Sequence, residues 1–329
     1  MFEAGLIGME LNIFQAIYHL ILFLAGVPLN VTVALILLSD SLLCNTRNAI
    51  WLGIIFSNLS VYFMVVLEYF IFYQQSFLAC QILSAMIGSP YLILLTNLLL
   101  ATCDRLIYTK WPSFHEQHVT VRRVVTVQLC SSAFIFLSLT IPFLPVNKSI
   151  RCGFEPILIK MSMVAMVILC LLCTVLKLVV YFVLKKSSAE NGGIVTIEIP
   201  LQEIPNLNRV TVTPAIQPRL LAHYTTGRVR RMERNATMTV IIGLIPLCLF
   251  VAISCLYMVA QALCHAIVKK CETFDYFEVF FRELILLHVS TNLLVYIFRS
   301  LEFRAVAKQC CRPLIHRTAT LARQLSQTE

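Results

Sequence analysis

The chain is predicted to be an all-α membrane protein: a seven-transmembrane helix bundle followed by a short C-terminal amphipathic helix. Composition points there first, since 329 residues that are 59% hydrophobic and only 13% charged, with a mean hydropathy of +0.82, are far more apolar than a soluble domain of that length. Apolar runs of about 20 residues, the length that crosses a hydrocarbon core, recur along the sequence. Basic residues then gather at alternate ends of those runs, as membrane topology requires.

Residues 1–11 form a short extracellular N-terminus, and the runs lie near 12–38, 49–73, 78–107, 121–145, 156–184, 236–262 and 274–298. The opening text MFEAGLIGMELN has no basic start and its apolar run has no small-residue cleavage site, so the first span is expected to act as its own insertion signal. The third run carries the most information. It extends from Cys80 to Asp104-Arg105, and as one helix it would be roughly 37 Å long, enough to place those two ends on opposite membrane faces. Pro90 within it and Pro246 within the sixth each remove an internal hydrogen bond; at Pro246 the outcome is either a hinge or a locally repaired backbone. Between the fifth and sixth spans, residues 185–235 form a long cytoplasmic loop, expected to be mobile over Ser187–Thr226 where Pro, Asn and short β-favouring runs replace the membrane pattern. Residues 299–329 make the cytoplasmic helix and tail, with Thr318, Thr320, Ser326 and Thr328 as candidate phosphorylation sites.

Orientation follows from Lys and Arg alone. One set of loops and the tail holds Arg47, Arg105, Lys110, Arg122, Arg123, Lys185, Lys186, the run Arg228 to Arg234 and most of the basic tail. The other holds Lys148, Arg151, Lys160, Lys269, Lys270 and Arg282. The ratio is about three to one, which puts the N-terminus outside and the C-terminus in the cytoplasm of a multi-pass membrane protein. The net charge of +9 is then accounted for by topology and an anionic inner leaflet, with no nucleic acid partner.

Topology sorts the thirteen cysteines. Cys80 and Cys152 both fall on the oxidising side, where a disulfide would pin the loop after the fourth span to the third helix. Cys264 and Cys271 flank the last outer loop and either close a second small ring or stay unpaired. Cys310-Cys311, after the amphipathic stretch, are palmitoylation candidates, and the cysteines within the spans are small apolar fillers. Asn147-Lys148-Ser149 is the one glycosylation sequon in an outer loop. No His or Cys set has ligand spacing, so neither a metal nor another cofactor is expected.

Charged and polar residues within spans are functional candidates by default. Glu68 and Arg282 reach similar depth near the outer mouth and suit either a structural salt bridge or a charged ligand group, with Glu278 competing for Arg282. Asn30, Asn58 and Asn292 lie near mid-membrane, where each amide needs a partner, so a hydrogen-bonded cluster is expected. Asn97 is read as interhelical glue. Lys177 is read as snorkelling toward the inner surface, and neither it nor Glu283 is assigned a site. His288 is read as a bystander. An arginine beside an acid at an inner helix end is held while the bundle is closed and becomes a donor when it opens. Arg105 next to Asp104 fits that switch, the plainer reading being a basic residue at a helix C-terminus. Tyr181 and Tyr296, near the inner ends of their spans, either swing toward Arg105 or anchor at the interface.

These residues resemble the rhodopsin-like G protein-coupled receptors over nearly the whole chain. Cys80 to Asp104-Arg105 resembles that family's third helix, Gly26-Val27-Pro28-Leu29-Asn30 its first-helix asparagine motif, Ser57-Asn58-Leu59 its second-helix Ala-Asp-Leu, Pro246 its sixth-helix proline, and Asn292 to Tyr296 its Asn-Pro-x-x-Tyr with leucine for proline. Phe303-Arg304 resembles the start of the membrane-parallel helix. The departures are Leu106 after Asp-Arg, Leu244 in place of the sixth-helix tryptophan, Cys173 where a fifth-helix proline belongs, no fourth-helix tryptophan near Ser131-Ser132, and a shortened link between the second and third helices. The chain is similar to a divergent branch. With Asn58 uncharged and Leu94 at the matched third-helix position, the family's sodium site is expected to be weak or absent.

The resemblance implies a non-enzymatic receptor that takes an extracellular ligand among helices three, five, six and seven and activates a heterotrimeric G protein, with arrestin and a receptor kinase as further partners. Tyr91, Leu244, Glu68 and Arg282 are the candidate pocket residues. No acid sits mid-way along the third span to grip an amine, and the short N-terminus argues against a large protein hormone. A chemosensory or odorant-type receptor is the alternative within the fold. A small-solute transporter is the alternative outside it, although internal repeats and paired broken helices are lacking. An intramembrane enzyme would need a nucleophile–base pair or zinc-ligand spacing that the spans do not supply.

Overall fold

The computed structural model describes residues 13–38, 45–74, 76–86, 88–141, 156–190, 238, 241–267, 272–300 and 303–304, with side chains for most of them. Residues 39–44, Asn147, Cys152, Cys271, Cys310 and Cys311 lie outside this set, as does the loop over 191–237. All regular structure among the described residues is helical: α1 (Ile13–Leu37), α2 (Thr46–Gln74), α3 (Phe77–Met86), α4 (Ser89–Lys110), α5 (Pro112–His118), α6 (Val121–Thr140), α7 (Pro156–Glu190), α8 and α9 (Glu272–Arg299). α8 is composite, an α-turn over Leu244–Pro246, a π-helical stretch over Leu247–Ala252 and an α-helix over Ile253–Ile267.

Six of these helices are long and apolar enough to cross a membrane: Gln15–Leu37, Thr46–Ile71, Ser89–Lys110, Val121–Thr140, Met161–Leu184 and Leu244–Cys264. α9 is a continuous helix of 28 residues, but its described apolar stretch, Glu283–Phe298, is shorter than the other six. Large apolar side chains cover the outside of the bundle, among them Ile21 and Leu24 on α1, Leu129 and Phe134 on α6, and Leu171, Val175 and Phe182 on α7. Such a surface is unfavourable in water and natural in lipid, as expected of a multi-pass membrane protein.

Local chemistry sets the ends of the elements. Asn45 accepts the Arg47 backbone N–H at 3.1 Å and so caps α2. Thr120 does the same for Arg123 at the start of α6. Pro28 lies inside α1, where Thr32 Oγ1 donates to the Pro28 carbonyl at 2.7 Å.

The expected single helix near 78–107 is two helices, α3 and α4, and the physical reason is local. Gly88 adopts φ 75°, a left-handed conformation that a Cβ disfavours. Pro90 follows in the first turn of α4, where its missing N–H costs nothing, so it starts a helix and does not bend one. Ser89 Oγ donates back to the Met86 carbonyl at 2.8 Å and closes the corner. A Cβ on Gly88 would also meet the Ser162 side chain of α7, so the corner is a close approach as well as a turn.

α4 is the central helix. It packs on α2, α5, α6 and α7, and half of its membrane window is buried, against 11% for the peripheral α6. The core runs through Leu92, Leu94, Leu95 and Leu98 of α4 to Ile54 and Ile55 of α2, Cys173 of α7, Leu247 and Val251 of α8, and Val289 and Leu293 of α9. In lipid, packing and interhelical hydrogen bonds hold such a bundle together, since the hydrocarbon is as apolar as the leucines.

Candidate functional site: a polar column through the bundle

At the end of α4 that carries Arg105, the guanidinium donates from Nε and Nη2 to Asp104 Oδ2 at 3.0 and 2.5 Å. The other carboxylate oxygen, Oδ1, lies 2.8 Å from His115 Nε2. All three side chains are buried. The position of His115 follows from the break after Lys110. Trp111 leaves helical geometry, Pro112 begins α5, and a one-turn reversal brings the fourth residue of α5 back against α4. Tyr108 completes the cluster, 5.7 Å beneath the guanidinium and edge-on to the His115 ring at 5.3 Å. His115 is the one buried residue of α5. Its neighbours Phe114, Glu116, Gln117 and His118 are exposed. The arrangement holds a cation beside a carboxylate that is engaged at both oxygens, so that helix α5 is tied to the ion pair of α4.

Deeper in the bundle, Asn97 joins three helices. Its Nδ2 donates to Ser57 Oγ at 2.8 Å and the Gly53 carbonyl at 3.3 Å, and its Oδ1 accepts from Gln128 Nε2 at 3.2 Å. Gln128 also donates to the Ile50 carbonyl at 3.2 Å. A Cβ on Gly53 would overlap the Gln128 amide, so glycine there allows α6 to reach α2. Asn97 is thus the interhelical link its depth requires.

The expected asparagine cluster forms in part. Asn58 Nδ2 donates to Asn30 Oδ1 at 3.2 Å, and Asn30 donates to the Gly26 carbonyl at 2.8 Å. Asn292 is equally buried, but among the described residues its Nδ2 has no protein partner, nor has Asn58 Oδ1. Tyr296 is buried, with its ring centroid 4.1 Å from Trp51 and 5.6 Å from Phe303. Tyr181 is exposed beside Phe182, at 5.6 Å between centroids. Neither tyrosine shares a hydrogen bond with Arg105 among the described residues.

At the level of Tyr91, its hydroxyl lies 3.0 Å from His288 Nδ1, joining α4 to α9. Tyr62 Oη and Ser290 Oγ share a hydrogen bond of 2.6 Å that joins α2 to α9, and Cys173 Sγ donates to the Leu95 carbonyl at 3.5 Å. Lys177 does not snorkel. Its side chain is 2% exposed and faces the bundle interior. Leu244 is half-buried and Pro246 buried, at the entry to the π-helical stretch.

Near the end of the bundle away from Arg105, Glu283 of α9 takes partners that the sequence did not suggest. His19 Nε2 lies 2.7 Å from its Oε2, Gln15 Nε2 donates to its Oε1 at 3.4 Å, and Tyr18 Oη donates to its backbone carbonyl at 3.2 Å. The first and last helices are thereby tied together. Glu68 is half-buried, while the side chains of Arg282 and Glu278, its expected partner and that partner's competitor, lie outside the described set. Cys80 and Cys264 are each disulfide-bonded, while Cys152 and Cys271 are outside the described residues. No group of three metal-ligating side chains occurs among the described residues. No protein-family model matches the chain, and no curated protein matches it.

Proposed function

We propose that this protein is a receptor of the rhodopsin-like G protein-coupled type, resident in the plasma membrane with its N-terminus outside. An extracellular ligand enters the bundle near Tyr91 and Leu244, and the Arg105 end opens to a heterotrimeric G protein on the cytoplasmic side. The observation that carries the reading is the buried Arg105, held by Asp104, which is held in turn by His115. A guanidinium buried at a helix end and tied to its own neighbour is free to change partners when the helices part. Ligand and G protein then favour the same open packing, each raising the affinity for the other.

Tyr296 supports the same reading, since it lies buried between Trp51 and Phe303 where a shift of α9 would move it. The Asn30–Asn58 bond, in turn, ties α1 to α2 as a fixed frame. Expression in cells supplied with promiscuous G proteins tests the proposal. Arg105→Ala should abolish both basal and stimulated signalling while surface expression is retained. Equal signalling from Arg105→Ala and the unmodified chain overturns it.

A further inference from the structure

We infer that the bundle centre holds a site for a monoanion, with Lys177 as its charged contact and His288 as a second donor. The anion is chloride or the carboxylate end of an organic ligand. Lys177 lies on the inward face of α7 with Cys170, Cys173 and Val180, all of them buried. Among the described residues it forms no hydrogen bond and no ion pair. Its electrostatic neighbours are thiols, Cys173, Cys248 and Cys170, together with the ring of His288. An ammonium group buried this deep, with thiols and no carboxylate among its nearest electrostatic neighbours, is costly for a membrane bundle to hold. The buried acid of α4 is no remedy, because Asp104 is engaged by Arg105 and His115. Glu283 is likewise engaged, by His19.

His288 supplies the independent observation. Its ring is fully buried, its Nδ1 is taken up with the Tyr91 hydroxyl, and among the described residues its Nε2 has no partner. When Tyr91 donates to Nδ1, the neutral ring carries its proton on Nε2. In that tautomer an unpartnered N–H shares a neighbourhood with the Lys177 ammonium, reached from α4, α7 and α9. The surrounding wall is weakly polar at most: Cys170 and Cys255 are buried, and the thiol of Cys173 is spent on Leu95. One cation with one neutral donor matches a single negative charge. A phosphate dianion would leave charge uncompensated.

The site is separate from the coupling proposal, because binding is read on the purified chain and coupling on membranes. The full chain is purified in detergent and its thermal unfolding followed in sodium HEPES, whose bulky sulfonate is neither chloride nor a carboxylate, in sodium chloride at the same ionic strength, and with sodium oleate against oleyl alcohol. Chloride or oleate should raise Tm by about 2–5 °C, the first marking an inorganic anion and the second an organic carboxylate. Lys177→Met should remove that response, and in the HEPES reference it should be at least as stable as the unmodified chain, because the buried charge is gone. His288→Phe should weaken the response about tenfold in midpoint concentration. The inference is overturned by equal responses from Lys177→Met and the unmodified chain, by no response to chloride or oleate, or by a Lys177→Met chain that is less stable in the HEPES reference. An anion response without nucleotide exchange would leave the site standing and remove the receptor reading.

Discussion

His115 turns the Asp104–Arg105 pair from a contact between sequence neighbours into a clamp between α4 and α5. A bond to an ionised group contributes about 1.5–3 kcal/mol, enough to shift a closed–open equilibrium by about tenfold or more. His115→Phe keeps a ring against Tyr108 and loses only the bond to Asp104. Under the proposed function it should raise basal nucleotide exchange several-fold, measured on membranes with purified heterotrimer; an unchanged basal rate would show that His115 does not restrain the switch. Asp104 and Arg105 were legible because they are adjacent in the chain. His115 was not, because its register depends on a helix break at Trp111 and a restart at Pro112, and the polar text HEQH gives no sign of burial. Lys177 was misjudged, and the partners of Glu283 were not foreseen, for a related reason: composition shows that a charge lies in a span but not which face it occupies.

Element by element, hydropathy located the apolar runs well, since length and composition alone decide them. It missed the corner between α3 and α4. An apolar window carries no information on φ, and a glycine flanked by Ser89 and Pro90 is as hydrophobic in the average as a helix interior. Gly88→Ala should therefore be costly, at about 1–2 kcal/mol for the left-handed residue with a further penalty where its Cβ meets Ser162. Thermal unfolding in detergent should show Tm lowered by several degrees, whereas Pro90→Ala, at a position where proline merely presets the first turn, should change it little. A Tm for Gly88→Ala equal to that of the unmodified chain would mean that the corner is not conformationally demanding. The Asn97 link makes a second test at this scale. Asn97→Leu and Gln128→Leu share one hydrogen bond, so the double variant should be less destabilised than the sum of the singles by about 0.6 kcal/mol. Strict additivity would assign each amide to its other partners.

For the molecule as a whole, the strongest legible quantity was the distribution of basic residues, which no single contact reveals. The described bundle has an Arg105 end with Lys110, Arg122 and Arg123 close in sequence around α5 and the start of α6. Under the proposed function, in line with the positive-inside rule, that end faces the cytoplasm. If so, Asn147, which follows α6 in the sequence, meets the glycosylation machinery, and the tail after Arg304 never does. Digestion with an endoglycosidase should shift the mobility of the unmodified chain and leave Asn147→Gln unshifted. A C-terminal epitope should bind antibody only after cells are permeabilised. Charge bias could not reveal how the polar side chains pair across the bundle, because pairing depends on helix rotation and a count of lysines and arginines does not. The two readouts are coupled through the proposed topology, in which α6 makes one membrane crossing before Asn147 in the sequence. A glycosylated Asn147 together with a tail accessible on intact cells would require a different number of crossings after α6, and would remove the cytoplasmic surface on which the proposed G protein must dock.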